Sequence, residues 1–98
     1  MTFAASFNSL AEAELSDAVD HYEQESPGLG TAFLAAVEHA VTDLVEYPES
    51  APVLSGPYRK KVLSRFPFNL IYRVKKNEIR ILAIAHQRRR PYYWLGRT

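Results

Sequence analysis

Apolar residues change their spacing once along this 98-residue chain, within the single stretch Pro48–Pro57. Before it, Ala11, Leu15, Ala18, Val19 and Tyr22 recur at the period of an amphipathic helix. So do Leu29, Phe33, Leu34, Val37, Ala40, Val41, Leu44 and Val45. After it, side chains alternate as they do on a strand, whose successive residues point to opposite faces. The stretch itself, PESAPVLSGP, has the Pro, Ser and Gly content of a loop. A chain patterned this way places its helices in the first half and most of its strands in the second.

Residues 2–7 read as a short strand anchored by Phe3 and Phe7. Ser9 followed by Glu12 is a capping-box pattern, so a helix is predicted from Leu10 to Glu25, stopped by Pro27-Gly28. A second helix runs from Leu29 to Tyr47 and halts before Pro48. Its apolar stripe is wider than that of the first, which makes it the more buried of an antiparallel hairpin. Tyr58–Phe66 is the next strand, with Val62, Ser64 and Phe66 on one face and Arg59, Lys61, Leu63 and Arg65 on the other. After Pro67, Phe68–Lys75 forms a strand with Phe68, Leu70, Tyr72 and Val74 on one face. Lys76-Asn77 supplies the turn into Glu78–His86, apolar on both faces and therefore the central strand. The expected fold is α+β, in the order β-α-α-β-β-β. An antiparallel sheet carries the N-terminal helical hairpin on one face, and its other face is free to be basic.

Charge segregates at the same boundary as the periodicity. All twelve Lys and Arg lie at or after Arg59, whereas ten of the eleven acids lie at or before Glu49. The second half therefore points to a polyanion or an acidic partner. Solvent-exposed ion pairs contribute only about 0–1 kcal/mol each, so attraction between the halves is a weak reason for so complete a separation. A chain of this length is one domain, residues 1–98, which buries roughly 60–68% of its unfolded surface around one modest core. With no cysteine, disulfides and thiolate zinc sites are excluded. The first ten residues lack a basic, then apolar, leader pattern, and no apolar run approaches the ~20 residues that span a bilayer. A cytoplasmic protein without membrane contact is expected.

Several runs in the second half carry a resemblance. They are Tyr58-Arg59-Lys60-Lys61-Val62, Arg65-Phe66-Pro67-Phe68 leading into Ile71-Tyr72-Arg73-Val74, Ile79–His86, and Arg88-Arg89-Arg90-Pro91 with Trp94. With Tyr22 and Pro27-Gly28-Leu29-Gly30 before Phe33, this ordered set resembles the RelE/ParE superfamily of bacterial type II toxins. The resemblance covers nearly the whole chain and implies the same β-α-α-β-β-β fold. It also implies one of two activities, trapping of DNA gyrase or ribosome-dependent cleavage of mRNA, each without metal or organic cofactor. Either toxin is silenced by a cognate antitoxin in a hetero-oligomer.

For the nuclease, the resemblance assigns Arg59, Lys61 and Arg89 to stabilising charge on the attacked phosphate, with His86 or Tyr93 handling protons. An imidazole's ordinary pKa of about 6.5 suits a general base. Asn69 stands where nuclease members carry arginine, and Leu95 where they carry a late tyrosine. An amide supplies neither the charge nor the fork of a guanidinium, and one lost phosphate clamp is worth about 10²–10³ in rate. These departures favour the gyrase-binding activity. A member acting only in antitoxin binding and operon control is the third reading. Arg65, Arg73, Arg88, Arg90, Tyr92 and Trp94 are the expected partner contacts, although Trp94 can instead fold back over the sheet. His86 can equally be a structural strand-end residue. His21 and His39 read as helix-surface residues without metal-site spacing.

Overall fold

The computed structural model describes residues 3–98; Thr2, placed above in the first strand, lies outside the described residues. The elements run β1 (Ala4–Phe7), α1 (Ser9–Glu25), α2 (Leu29–Glu46), β2 (Val53–Ser55), β3 (Tyr58–Val62), β4 (Phe68–Lys75) and β5 (Glu78–His86). The expected order is present with one addition. The Pro/Ser/Gly stretch contains β2, a three-residue edge strand whose register with β3 shifts between Val53 and Ser55.

The sheet is ordered β1-β5-β4-β3-β2. It is antiparallel from β2 to β5, whereas β1 joins β5 in parallel, with Ala4 opposite Glu78 and Phe7 opposite Ile81. The helical hairpin between β1 and the rest is the crossover that a parallel pair requires. β5 is interior and carries Ile79, Ile81, Leu82 and Ala83 with no exposure. Its pairing slips by one residue between Ile71–Ala83 and Tyr72–Ile81, which leaves Leu82 as the extra residue of a bulge.

α1 begins one residue earlier than the capping-box pattern implies. Asn8 is its N-cap, its side chain accepting from the Leu10 N–H at 2.8 Å, so Glu12 is one position too late to reciprocate. Ser26 ends α1 and Gly28, at φ 89°, starts α2. α2 is the more buried helix, as its wider stripe requires: Gly30, Phe33, Val37, Ala40 and Leu44 are covered, against Ala11 and Ala18 of α1. Tyr22, Phe33, Phe66 and Phe68 close one end of the core in edge-on contacts, with Phe33 5.1 Å from Phe66 and 5.0 Å from Phe68. At the other end the buried Tyr72 donates its hydroxyl to the Pro48 carbonyl at 2.8 Å and anchors the interhelix-to-sheet loop.

β3 is shorter than its alternation suggests. It ends at Val62, and the chain turns through Arg65 at φ 74° so that Leu63 and Phe66 both enter the core. Val62, expected beside Phe66, is exposed. Among the described residues no helix is long and apolar enough to cross a membrane.

Candidate functional site

The phase of β3 decides which of its cations face outward. Arg59 pairs with Tyr72 and Lys61 with Leu70, and both partners belong to the core beneath the helices. Residues opposite each other share a face, so Arg59 and Lys61 point toward the helical layer. Arg59 donates to the main-chain oxygens of Glu49 (3.2 Å) and Ala51 (2.8 Å) and lies 3.6 Å from the Glu49 carboxylate. The Lys61 ammonium is 3.9 Å from Asp43. The chain's own acids thus take up two of the cations expected on the open face. Lys60, which pairs with Ile71, is the β3 cation on that face.

The open face is not bare. Ile71, Ala83, Ala85 and Trp94 form a second apolar cluster, with Leu54, Tyr58 and Tyr93 packed around it. Trp94 is only 3% exposed and meets Tyr58 edge-on at 4.9 Å. Its expected role as a partner contact is corrected: it is the residue that folds the tail onto the sheet. Beside it remains a depression of about 160 Å³, bordered by Lys60, Asn69, Arg89, Arg90 and Tyr92. The buried Asn69 Oδ1 finds no hydrogen-bond partner there, and the Nε of Arg73 is likewise unpartnered.

The tail is fastened by residues that the sequence reading did not single out. β1 ends at Phe7, opposite Ile81, so the β1-side edge of β5 continues without a strand. Glu14 of α1 and Arg97 of the tail fill the vacancy. Glu14 accepts from the Ile84 N–H at 3.0 Å, and Arg97 donates to the Leu82 carbonyl at 3.1 Å. The two side chains pair at 2.9 and 3.1 Å, and Tyr93 donates to Glu14 at 2.7 Å. Burial first, and then the bond to Glu14, push the Tyr93 hydroxyl well above the ordinary phenol range, outweighing Arg89 and Arg97. Tyr93 is therefore a neutral donor bound to Glu14. Arg80 and Asn8 hold the main-chain oxygen of Thr98 at 2.8–3.3 Å.

At the end of the sheet where β3 and β5 finish, His86 accepts the Arg88 N–H on Nδ1 at 3.0 Å and its carbonyl accepts the Arg89 N–H. His86 thereby shapes a tight turn that turns Arg88, Arg89 and Arg90 outward, all three exposed. Arg89 lies over the Tyr93 ring, 3.9 Å from its centroid. Arg65 and Tyr92 are exposed on neighbouring turns, and Arg73 is half-buried farther along β4. Arg59 and Lys61 thus face the helical layer, while Arg89 lies on the turn after β5. His21 is exposed on the surface of α1, as expected, at the edge of a cleft lined by Glu14, Asp17, His86 and Arg89. Even so, among the described residues no group of three or more His, Cys, Asp or Glu is placed to hold a metal.

Comparison with known proteins gives a family match over residues 5–91, to the ParE toxin of type II toxin–antitoxin systems (parDE). A chain in a solved structure described as the chromosomal ParDE TA system from P. aeruginosa superposes with a TM-score of 0.75. It is 26% identical over 86% of this chain and 95% of that one. No curated protein matches.

Proposed function

Because the chain belongs to the ParE toxin family of type II toxin–antitoxin systems, we propose that it arrests growth by binding DNA gyrase and trapping it, without catalysis of its own. A cognate antitoxin is its partner. The observation that carries the choice of target is the dispersal of the cations an mRNA nuclease would need. Arg59 is bound to main-chain oxygens and Lys61 is paired with Asp43, both on the helical face, whereas Arg89 stands exposed on the turn after β5. Asn69 occupies the remaining position without a guanidinium. A phosphate undergoing attack requires converging positive donors, and cations already committed to the fold supply little of that.

The antitoxin reading follows from the same surfaces. An extended segment can add beside β2, and an amphipathic helix can lie along the hairpin. Expressed without antitoxin in the cytoplasm, the toxin should stop growth. The deciding experiment is a gyrase supercoiling assay at toxin concentrations stoichiometric with the enzyme, run beside primer extension on mRNA in a translating extract. Lost supercoiling with accumulated cleaved DNA is expected. Unaltered supercoiling together with discrete mRNA cuts would replace this reading with the nuclease one.

A further inference from the structure

Two turns meet at the end of the sheet where β3 and β5 finish. One is Leu63–Pro67, and the other is the run after His86. The Gln87 N–H donates to the Pro67 carbonyl at 2.9 Å and ties them together. Between them they expose Arg65, Arg88, Arg89 and Arg90. Among the described residues, the only Lys and Arg side chains within salt-bridge distance of a carboxylate are Arg59, Lys61 and Arg97. The four arginines of this end therefore have no carboxylate within ion-pair distance.

They are also held in place. Arg88 and Arg89 sit in the turn fixed by His86, and Arg89 is clamped on Tyr93. Arg65 occupies a left-handed backbone position, φ 74°, with its guanidinium 5.5 Å from the Phe66 ring centroid. Such a conformation suits Gly or Asn better than Arg, so the loop accepts strain at the position that carries the charge. Tyr92, at φ 62°, repeats the pattern on the adjoining turn.

We infer that this end of the sheet is a contact surface for the phosphate backbone of duplex DNA, engaged without regard to sequence. Three features favour a phosphate polyanion at this end. Guanidinium forks match phosphate oxygens in bidentate fashion. The arginines stand on the tips of two tied turns, so one extended polyanion can meet several of them at once. The acids of α1 and α2 disfavour the approach of a polyanion to the helical layer. The inference deepens the gyrase reading and rests on it for where DNA is met, since a protein bound to gyrase lies beside the DNA that gyrase holds.

The test is fluorescence anisotropy of a labelled 30-base-pair duplex titrated with the full-length toxin alone. Affinity should fall roughly 40-fold between about 50 and 200 mM salt if three phosphates are engaged. In the double variant R88A/R90A the slope of log affinity against log salt should drop by about two. Both side chains are exposed and the turn is held through the Arg88 main chain, so circular dichroism should be unchanged. The double variant K75A/K76A removes equal charge from exposed lysines at the opposite end of the strands and should bind as wild type does. Absence of salt-dependent binding, or equal losses in the two double variants, would overturn the proposal. So would stronger competition by single-stranded RNA or poly-glutamate than by unlabelled duplex. Wild-type toxin that binds duplex with the expected slope yet leaves supercoiling intact would sink the gyrase reading while leaving the DNA surface in place.

Discussion

Glu14 makes four hydrogen bonds from one helix position, to the Ile84 N–H, to Tyr93 and twice to Arg97. Its side chain is 17% exposed and that of Arg97 13%, so the pair is shielded enough that removing one partner strands the other. Glu14→Ala should cost about 3 kcal/mol, a drop in Tm of roughly 4–8 °C for each kcal/mol in a domain of this size. Glu14→Gln should cost less, because the amide oxygen still accepts from Ile84. A loss below 1 kcal/mol for the alanine variant would show that the ion pair is replaceable by water. Tyr93 adds a pH signature. Its folded pKa is raised above the unfolded value of about 10, so its contribution is complete below that pH and is lost as the pH rises toward the folded value. The stability advantage of wild type over Tyr93→Phe, measured by urea unfolding, should therefore narrow as the pH rises past about 10. An advantage constant across that range would remove the hydroxyl's assigned role. None of this was legible in the sequence. Glu14 and Arg97 are 83 positions apart, and what pairs them is the early end of β1, which no local pattern encodes. The side chains of β3 failed to read for a different reason. Three consecutive cations leave the strand without an apolar phase, and Phe66, which suggested one, lies beyond the strand's end.

Elements were read more securely than residues, because helices and strands follow from period while caps and edges follow from neighbours. α2 illustrates both. Its stripe and its greater burial follow from sequence, yet its N-terminus is capped by the other helix. Glu23 of α1 accepts from the Gly28 N–H at 2.9 Å and the Gly30 N–H at 3.0 Å, which satisfies two of the free donors at the helix start and places negative charge there. Gly28 has no side chain to do so. The same contact explains Gly30. A Cβ there would lie 2.5 Å from the Val19 carbonyl and 2.9 Å from the Glu23 Cβ, so the helices approach each other where only glycine fits. Gly30→Ala should destabilise the hairpin by about 1–3 kcal/mol despite alanine's better helix propensity. Glu23→Ala should cost about 1–2 kcal/mol. Thermal melts of the two variants and their combination should give less than the sum, since each perturbs the same crossing. A stabilising Gly30→Ala would mean that the helices separate easily at this point.

At the scale of the whole molecule, the sheet separates two apolar layers of unequal weight. The helical side holds the larger core, and the opposite side is covered mainly by the tail through Trp94, Tyr93 and the edge residue Leu54. The sequence reading left that opposite side free and basic. It did so because the tail's arginines dominate its composition while one tryptophan determines its path. Lys60 stays on the open face and Lys75 and Lys76 are exposed at the far turn, so the charge is densest at the arginine-bearing end rather than spread evenly over a cationic face. This division raises the question of whether the tail is an independent flap. Its attachments say otherwise. Trp94 packs on β4 and β5, whose other faces line the helical core, and Arg97 reaches across to α1 through Glu14. A tail joined to both layers should leave with them, as expected of a small domain that unfolds in one step. Trp94 is the chain's only tryptophan, so its emission reports the tail while far-UV circular dichroism reports the helices. The two urea transitions should share one midpoint in wild type. In Arg97→Ala, which severs the tie to α1, the fluorescence transition should move to lower urea ahead of the helical signal. A fluorescence midpoint already lower in wild type would mean that the tail docks as a separate unit and that the open face is uncovered before the fold is lost.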